Sequence, residues 1–190
     1  MESGGRPARK WQTRFYSSKA SLRATARQNS VTDQQDRQHI KEYLAAHNTV
    51  TLASCSANGP WAAAVFFASD ENLTLYFKSD PKTRHMIDIL DDPRVAATVQ
   101  DDGQAWQSIR GLQLVGSCSR VGDHDTSRVN DLYVEKYPFL GAVTDDSSDQ
   151  DERVLAERLQ KTPFYQLCPQ WVRLIDNTRG FGQKVEISIG

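Results

Sequence analysis

The chain has 190 residues, which is the size of one domain with an additional segment. Its formal net charge of −1 argues against a nucleic-acid-binding body, because such affinity depends on an excess of Lys and Arg. No apolar run approaches the roughly 20 residues that span a bilayer, and no secretory signal segment is recognisable, so we expect a cytoplasmic protein without a membrane partner. The three widely spaced cysteines have no metal-ligand spacing, so no metal site is predicted.

The first 31 residues differ from the rest in charge and composition. Residues 1–28 contain seven Lys or Arg and one acidic residue, and the segment is rich in Gly, Arg and Ser. It lacks hydrophobic periodicity, which predicts a disordered basic tail at 1–31 and a folded domain at 32–190. An Arg-rich, acid-poor leader is also typical of a transit peptide, so a mitochondrial or other organellar location stays open.

The first half of the domain has the pattern of a helix followed by three strands. Thr32, with Gln35 three residues later, is a capping-box signal for the start of the helix. Asn58-Gly59 is a strong signal for a hairpin. We predict a helix at 32–48 and strands at 49–56, 61–68 and 73–77, the strands forming an antiparallel meander.

The second half of the domain alternates helices and strands. Met86, Ile87 and Leu90 recur at helical spacing, so their face is expected to pack inward. Gly111 and Gly116 within a long strand indicate a bend, a bulge or the close approach of a ligand. We predict helices at 81–90, 125–137 and 153–159 and strands at 95–99, 109–121, 164–175 and 184–189. Short strands with frequent turns favour a small, mostly antiparallel barrel.

The turn before the helix at 81–90 carries the strongest functional signal. Ser79 and Asp80 are N-cap residue types, and Pro81 suits a first helical turn. Free backbone N–H groups and the helix dipole favour an anion at such a terminus. The side chains that can complete a phosphate seat are Lys78, Ser79, Lys82, Thr83, Arg84 and His85. The alternative is a solvated polar helix in which Arg84 pairs with Asp88 one turn later.

Three segments resemble the FMN-binding split-barrel family that includes pyridoxamine 5'-phosphate oxidase, and in particular its YhbP-like branch. They are YFKSDPKTRH at 76–85, IRGLQLVGSCSRV at 109–121 and WVRLIDNTRGFGQK at 171–184. The resemblance implies a mainly β domain with flanking helices, built on a six-stranded antiparallel split β-barrel. It also implies a homodimer with FMN between the subunits.

The resemblance assigns residues to the cofactor. The family's phosphate motif places Ser79, Thr83, Arg84 and His85 at the phosphate, and Lys82 lies in the same turn. The flavin ring is expected along the second strand, with backbone amides facing its edge. The residues assigned to the ring are Ala64, Val65, Phe66 and Phe67, with Arg110, Gly111 and Gln113 beside it. Phe181 and Gly182 either cover the site or form a structural turn.

Two departures from the family pattern bear on function. His85 stands where many members have Lys, and a neutral His is a weaker phosphate partner at pH 7 than an ammonium group. The affinity for FMN is therefore expected to be low or pH-dependent. The Arg- and His-bearing C-terminal segment that holds pyridoxamine phosphate in the true oxidase has no counterpart in KVEISIG, so vitamin B6 phosphate is not the expected substrate.

The resemblance leaves more than one function open. The first is an FMN-dependent oxidoreductase whose second substrate is a nicotinamide cofactor, a small organic molecule or oxygen; the flavin carries the chemistry, so no catalytic residue is named. The second is a non-catalytic module of the same fold that carries or senses a flavin, haem or another phosphorylated ligand. The third is an interaction protein that acts through its basic tail.

Overall fold

The computed structural model describes residues 26–103, 105–142 and 149–189. The helices are α1 (Ala26–Ala46), α2 (Arg84–Asp91), α3 (Thr126–Lys136), α4 (Phe139–Ala142) and α5 (Gln150–Lys161). The strands are β1 (Thr49–Ser56), β2 (Gly59–Phe66), β3 (Ala68–Ser69), β4 (Leu75–Lys78), β5 (Arg94–Gln100), β6 (Arg110–Arg120), β7 (Phe164–Asp176) and β8 (Lys184–Ser188). Two single-turn 3₁₀ helices, Trp106–Ser108 and Asn177–Arg179, lie in the loops before β6 and after β7.

The described strands form one antiparallel sheet. Their order is β2-β1-β5-β6-β7-β4-β3, and β8 pairs with the second half of β7. The sheet curls into an open barrel with helices around it, which confirms the mainly β, antiparallel split-barrel architecture. The eight described strands exceed the expected six because the chain adds the short strands β3 and β8.

The predicted meander of the first three strands is wrong. β1 and β2 form the hairpin, but β4 pairs with β3 and β7. A tight turn after β3 redirects the chain: the Asp70 carboxylate accepts hydrogen bonds from the amides of Asn72 and Thr74, both at 2.9 Å. Leu73 completes the turn with a φ of +66°. β4 therefore folds back on β3, and β2 and β3 end at opposite edges of the sheet.

The barrel interior is filled by inward-facing side chains of the long strands. On β1, for example, Val50 and Leu52 are no more than 1% exposed. Their partners across the sheet face the same way, because paired residues of an antiparallel sheet share a face. Helix α2 adds Met86 and Ile89 to this core.

The predicted inward face of α2 is confirmed for Met86, which is fully buried, and wrong for Ile87 and Leu90. Ile87 and Leu90 are 56% and 59% exposed, whereas His85 and Asp88 are buried beside Met86. Two polar residues thus occupy core-facing positions, which places two apolar residues at the surface. Hydrophobic periodicity misassigns such a helix because it assumes that the buried side is the apolar one.

The outer face of the sheet carries an uncharged row of side chains. The strand registers place Ala62, Ala53, Ala96, Val115 and Trp171 opposite one another across five adjacent strands. The four residues from Ala62 to Val115 are exposed, with Val115 at 43%. We call these five residues the outer row. The row gives this face of the sheet a stretch without charged side chains.

Helix α3 forms hydrogen bonds with the end of α1, just before β1, and with the end of β2. Lys136 donates hydrogen bonds to the carbonyl oxygens of Leu44 (3.1 Å) and His47 (2.5 Å), at the C-terminal end of α1. Burial lowers the pKa of Lys136 to about 8. The Tyr133 hydroxyl donates to the carbonyl of Phe66 at 3.1 Å, so α3 also holds the end of β2.

A bulge explains one of the strand glycines. The pairing of β6 with β7 shifts register between Val115 and Gly116. A Cβ on Gly116 would lie 2.2 Å from the Cys168 carbonyl oxygen, whereas a Cβ on Gly111 would meet nothing closer than 3.9 Å. Gly116 therefore marks the approach of a neighbouring strand.

The described part of the chain begins earlier than the predicted domain. Helix α1 starts at Ala26, six positions before Thr32, because Ala26, Arg27 and Gln28 are good helix formers. The rest of the predicted basic tail, residues 1–25, lies outside the described residues. The segment at 106–108, which lies between two predicted strands, is a 3₁₀ helix. Among the described helices, none has the length and apolar character that crossing a bilayer requires.

Candidate functional site

The turn between β4 and α2 is built by local hydrogen bonds. The Asp80 carboxylate accepts the amide of Lys82 at 2.8 Å, and the Asp80 carbonyl accepts the amide of Thr83 at 3.0 Å. Helix α2 begins at Arg84 with Thr83 as its N-cap, and the side chain of Thr83 makes no capping bond. The predicted caps Ser79 and Asp80 thus lie one turn too early. The first-turn amides of α2 lack a side-chain acceptor, which suits an anion at this terminus.

Three of the predicted phosphate ligands lie together. The Ser79 hydroxyl is 2.7 Å from His85 Nε2 and 3.3 Å from the Thr83 hydroxyl. The Thr83 hydroxyl is itself 3.3 Å from His85 Nε2. We call Ser79, Thr83 and His85 the seat. Its three polar groups are within reach of one bound oxyanion.

The seat is largely shielded from solvent, which affects the charge of its histidine. Ser79 is 7% exposed and His85 is 9% exposed. Burial lowers the pKa of His85, and the nearby carboxylate of Asp88 opposes this effect without reversing it. At pH 7 the imidazole is therefore neutral, and the attraction for an anion comes from hydroxyls, amides and the helix dipole.

Arg84 points away from the seat. Its guanidinium stacks 4.2 Å over the Trp61 ring, donates to the Asn58 carbonyl at 3.3 Å and lies 3.9 Å from the Asp88 carboxylate. The alternative pairing of Arg84 with Asp88 is thus present in the structure. Arg84 joins α2 to the β1–β2 hairpin, and its side chain is 43% exposed.

The two predicted lysines also lie apart from the seat. Lys78 donates to the carbonyl oxygens of Leu159 (2.5 Å) and Thr162 (3.4 Å) at the end of α5, and its ammonium lies 4.2 Å over the Phe164 ring. Burial lowers the pKa of Lys78. Lys82 is exposed at the surface of the turn. The six-residue cationic cluster expected from the sequence is therefore reduced to three uncharged groups.

The strand assigned to the flavin ring lies at an edge of the sheet. β2 pairs with β1 on one side, so its other backbone edge is not used by a described strand. Ala64 is exposed, Val65 is partly buried, Phe66 is 56% exposed and Phe67 is fully buried. The Phe67 carbonyl accepts the Tyr137 hydroxyl at 2.6 Å. The backbone of Ala64 and Val65 is thus better placed for a ligand than that of Phe66 and Phe67.

The remaining ring-side residues lie in another part of the chain. Gln113 is on the outer face of β6, opposite Thr98 and Arg173. It lines a cavity of about 470 Å³ together with Arg110 and Gly111. Gln113 pairs with Arg173 in the second half of β7, whereas Lys78, the neighbour of Ser79, pairs with Phe164 at the start of β7. One chain therefore does not bring Gln113 and Ser79 together.

Phe181 and Gly182 belong to a braced turn. The Asn177 amide group donates to the Trp106 carbonyl at 2.8 Å, and its side-chain oxygen accepts the amide of Gly182 at 3.0 Å. Phe181 is 82% exposed and meets the Trp106 ring edge-on at 5.8 Å. The turn has a structural role, and it also presents two aromatic rings to solvent.

Two further residues, Asp88 and Trp61, shape the surroundings of α2, and the sequence indicated only Asp88, as a partner of Arg84. Asp88 is 2% exposed, and the Ser54 hydroxyl donates to its carboxylate at 3.3 Å. The sequence shows that Asp88 lies four residues after Arg84, but it does not show that Asp88 is buried. Trp61 lies on another strand, so its stacking on Arg84 has no signature in the sequence.

The donor set of the seat fits a phosphate. The Ser79 hydroxyl and the helix amides can donate to phosphate oxygens, and a protonated His85 would add a charge-assisted bond. The Thr83 hydroxyl donates to the Asp80 carbonyl at 2.8 Å and would have to turn away from it to donate to a ligand. No cluster of metal-binding side chains occurs among the residues that the structure describes. The seat's donors therefore fit a phosphate group, and the backbone edge of Ala64 and Val65 is open to a ligand.

Comparison with known sequences identifies relatives. A family model for pyridoxamine 5'-phosphate oxidase matches residues 36–165. A UPF0306 protein of Klebsiella pneumoniae is 26% identical over 147 residues, which cover 77% of this chain and 88% of that protein. A UPF0306 protein of Photorhabdus laumondii is 26% identical over 149 residues, covering 78% of this chain and 92% of that protein.

Solved structures with the same fold have varied ligands in their names. A haem-binding protein from Mycobacterium smegmatis aligns with TM-score 0.60 and 17% identity over 80% of this chain and 57% of its own. The haem storage protein HutZ from Vibrio cholerae aligns with TM-score 0.51 and 18% identity, covering 70% of this chain and 88% of its own. An FAD-binding protein from Mesorhizobium loti aligns with TM-score 0.54 and 14% identity, covering 72% and 90%. These likenesses show the fold, and the match of the family model over more than half of the sequence shows that the chain belongs to the pyridoxamine 5'-phosphate oxidase family.

Proposed function

We propose that the protein binds FMN, with the phosphate held by Ser79, Thr83, His85 and the first-turn amides of α2. The observation that carries this proposal is the seat itself: three polar groups within 3.3 Å of one another at an uncapped helix terminus. Family membership supports it, since the seat occupies the positions of the family's phosphate motif. The backbone edge at Ala64 and Val65 would receive the ring.

We also propose a homodimer formed through the outer row. Ala62, Ala53, Ala96, Val115 and Trp171 carry no charge, and small side chains allow two sheets to approach closely. A flavin between subunits would account for the position of Gln113, which lies away from the seat of its own chain. Gln113 would then serve the flavin held by the partner subunit.

The activity that we propose is that of an oxidoreductase. A bound flavin supplies hydride and electron transfer, and the chain binds it, orients it and limits access of water. The second substrate would be a nicotinamide cofactor, a small organic molecule or oxygen. Anaerobic addition of NADH or NADPH to the FMN complex tests this: bleaching of the flavin absorbance supports the enzyme. Flavin that stays oxidised with both donors would favour a binding module.

Titration of the purified full chain with FMN tests the cofactor, and riboflavin is the matched control because it lacks only the phosphate. We expect saturable quenching of FMN fluorescence, with riboflavin bound at least tenfold more weakly, which is about 1.4 kcal/mol. The mass and absorbance spectrum of any copurified small molecule provide an independent reading. Equal affinity for FMN and riboflavin would show that the protein does not recognise the phosphate. The lack of binding of either flavin would contradict the proposed cofactor.

Haem is the second candidate because two of the related folds are named for it. Each of the four histidines has a polar partner: His39 with Asp176, His47 with Asp101, His85 with Ser79 and His124 with Asp125. A haem iron needs an axial ligand, and a His that bonds a carboxylate through one ring nitrogen, as His39 does, can supply one through the other. Titration with haemin decides this, since a red-shifted Soret band that one His→Ala variant abolishes would favour haem.

A further inference from the structure

A histidine and a carboxylate meet at the opposite end of β7 from the seat. The His39 ring on α1 lies with Nε2 2.9 Å from the Asp176 carboxylate at the end of β7. Asp176 is 4% exposed and also accepts the hydroxyl (2.5 Å) and the amide (3.0 Å) of Thr178. Burial alone would raise the pKa of Asp176, but the bonds from Thr178 and His39 together hold it below its usual value. The carboxylate is therefore ionised.

The ionised carboxylate fixes the proton on the imidazole. A carboxylate only accepts, so Nε2 of His39 carries the proton of this hydrogen bond. Within the described ranges, Nδ1 of His39 has no hydrogen-bond partner. The pair thus presents one open ring nitrogen, whose position is fixed by the bond to the buried Asp176 carboxylate.

His39 faces a polar cavity of about 710 Å³. The side chains that line it are Gln34, Gln35, Gln38, His39, Glu42 and Arg179. Every lining residue that the structure describes is polar, so the cavity suits a hydrophilic molecule. Its volume lies within the range of small-molecule sites, which is on the order of 300–1,000 Å³.

Arg179 supplies the positive charge of this cavity. It lies in the 3₁₀ turn after Asp176 and forms no ion pair with any residue that the structure describes. The strand register separates this cavity from the seat, because Phe164 of β7 pairs beside the seat at Lys78 and Asp176 is the last residue of the same strand. The two sites are therefore independent.

We propose that this cavity binds a polyhydroxylated monocarboxylate of the sugar-acid type. The Arg179 guanidinium pairs with the carboxylate, and a ligand hydroxyl bonds His39 Nδ1. The amide groups of Gln34 and Gln35 bond the other hydroxyls, together with the amide oxygen of Gln38, whose NH2 group already donates to Glu42 at 3.0 Å. Guanidinium and carboxylate groups match in geometry, and side-chain amides both donate and accept. A single charge is favoured over two because Glu42 and Asp176 repel additional negative charge.

Three probes of similar size separate the parts of this proposal. Gluconate has the charge and the hydroxyls, hexanoate has the charge alone, and glucose has the hydroxyls alone. The readout is the NMR signal of the His39 ring in the full chain, assigned by its loss in His39→Gln. We expect gluconate to shift this signal saturably, with hexanoate and glucose at least tenfold weaker. The signal of His124, which is 84% exposed and remote from the cavity, serves as the internal reference.

Variants show whether the named residues do the binding. Arg179→Ala is expected to weaken gluconate binding at least tenfold, and Lys184→Ala, which removes the cation of the adjoining cavity, is the matched control. Asp176→Asn supplies an amide that can donate to the ring, so the tautomer of His39 should change. No saturable shift with gluconate up to 20 mM, equal binding of hexanoate, or an unchanged affinity in Arg179→Ala would each overturn the proposal.

Discussion

Replacing Ser79 with Ala probes the seat at its most central group. A hydrogen bond from a hydroxyl to a charged phosphate oxygen contributes about 1.5–3 kcal/mol. In the free protein the same hydroxyl already bonds His85 Nε2 at 2.7 Å, and that bond contributes about 0.5–1.5 kcal/mol. The difference is about 1–1.5 kcal/mol, so we expect Ser79→Ala to weaken FMN binding about tenfold.

The assay is fluorescence titration of the variant with FMN and with riboflavin. Because riboflavin lacks the phosphate, its affinity should be the same for Ser79→Ala and the original chain. Ser188→Ala, an exposed substitution on β8, is the control for handling and folding. A thermal melt checks that Ser79→Ala remains folded. If a folded Ser79→Ala binds FMN as before, or loses riboflavin to the same extent as FMN, the seat does not hold the phosphate.

Three further predictions concern the dimer, the sheet and pH. Ala96→Arg puts a charge in the middle of the outer row, so sedimentation should show a monomer with weakened FMN binding; an unchanged dimer would place the interface elsewhere. Gly116→Ala should lower the free energy of unfolding by about 1–3 kcal/mol in denaturant titration, because its Cβ would lie 2.2 Å from a carbonyl oxygen, while Gly111→Ala, with 3.9 Å of room, should cost less. Lys136 has a folded pKa of about 8, below the model-peptide value of 10.5, so the unfolded state binds more protons above pH 8 and stability should rise from pH 8 to 9. Lys136→Met should reduce that slope, and an equal slope in the variant would contradict the assignment. Above pH 9 the buried thiol of Cys118, with a pKa raised to about 12, acts in the opposite direction.

Local patterns predicted most of the elements but not their partners. β1 was predicted at its observed bounds, Thr49–Ser56, because alternation and the following turn are both local signals. The pairing of β4 with β7 joins residues about ninety positions apart, and nothing near β4 indicates it. Tertiary contacts decided which strands became neighbours, and the predicted meander failed for that reason.

The candidate site shows the same division. Ser79, Thr83 and His85 were found because they lie within seven positions of one another at a helix start. Arg84 was assigned to the phosphate by its place in the sequence, but Trp61 and Asp88 hold it elsewhere. The face of α2 that packs inward contains the buried carboxylate of Asp88, and a hydrophobicity pattern does not predict the burial of a charged group. The contact of Asp176 with His39 spans 137 positions, so no local pattern indicates it.

The fixing of β2 at both ends has a consequence for ligand choice. Arg84 ties the hairpin end through the Asn58 carbonyl, and Tyr133 and Tyr137 tie the other end through the carbonyls of Phe66 and Phe67. An edge strand that pairs on one side only would otherwise fray, and fraying would let it adapt to ligands of many shapes. With both ends held, β2 keeps one shape that a planar molecule must match. Selectivity would then come from rejecting poor shapes, and exchange of the β2 amides that bond β1 should be slow before any ligand arrives.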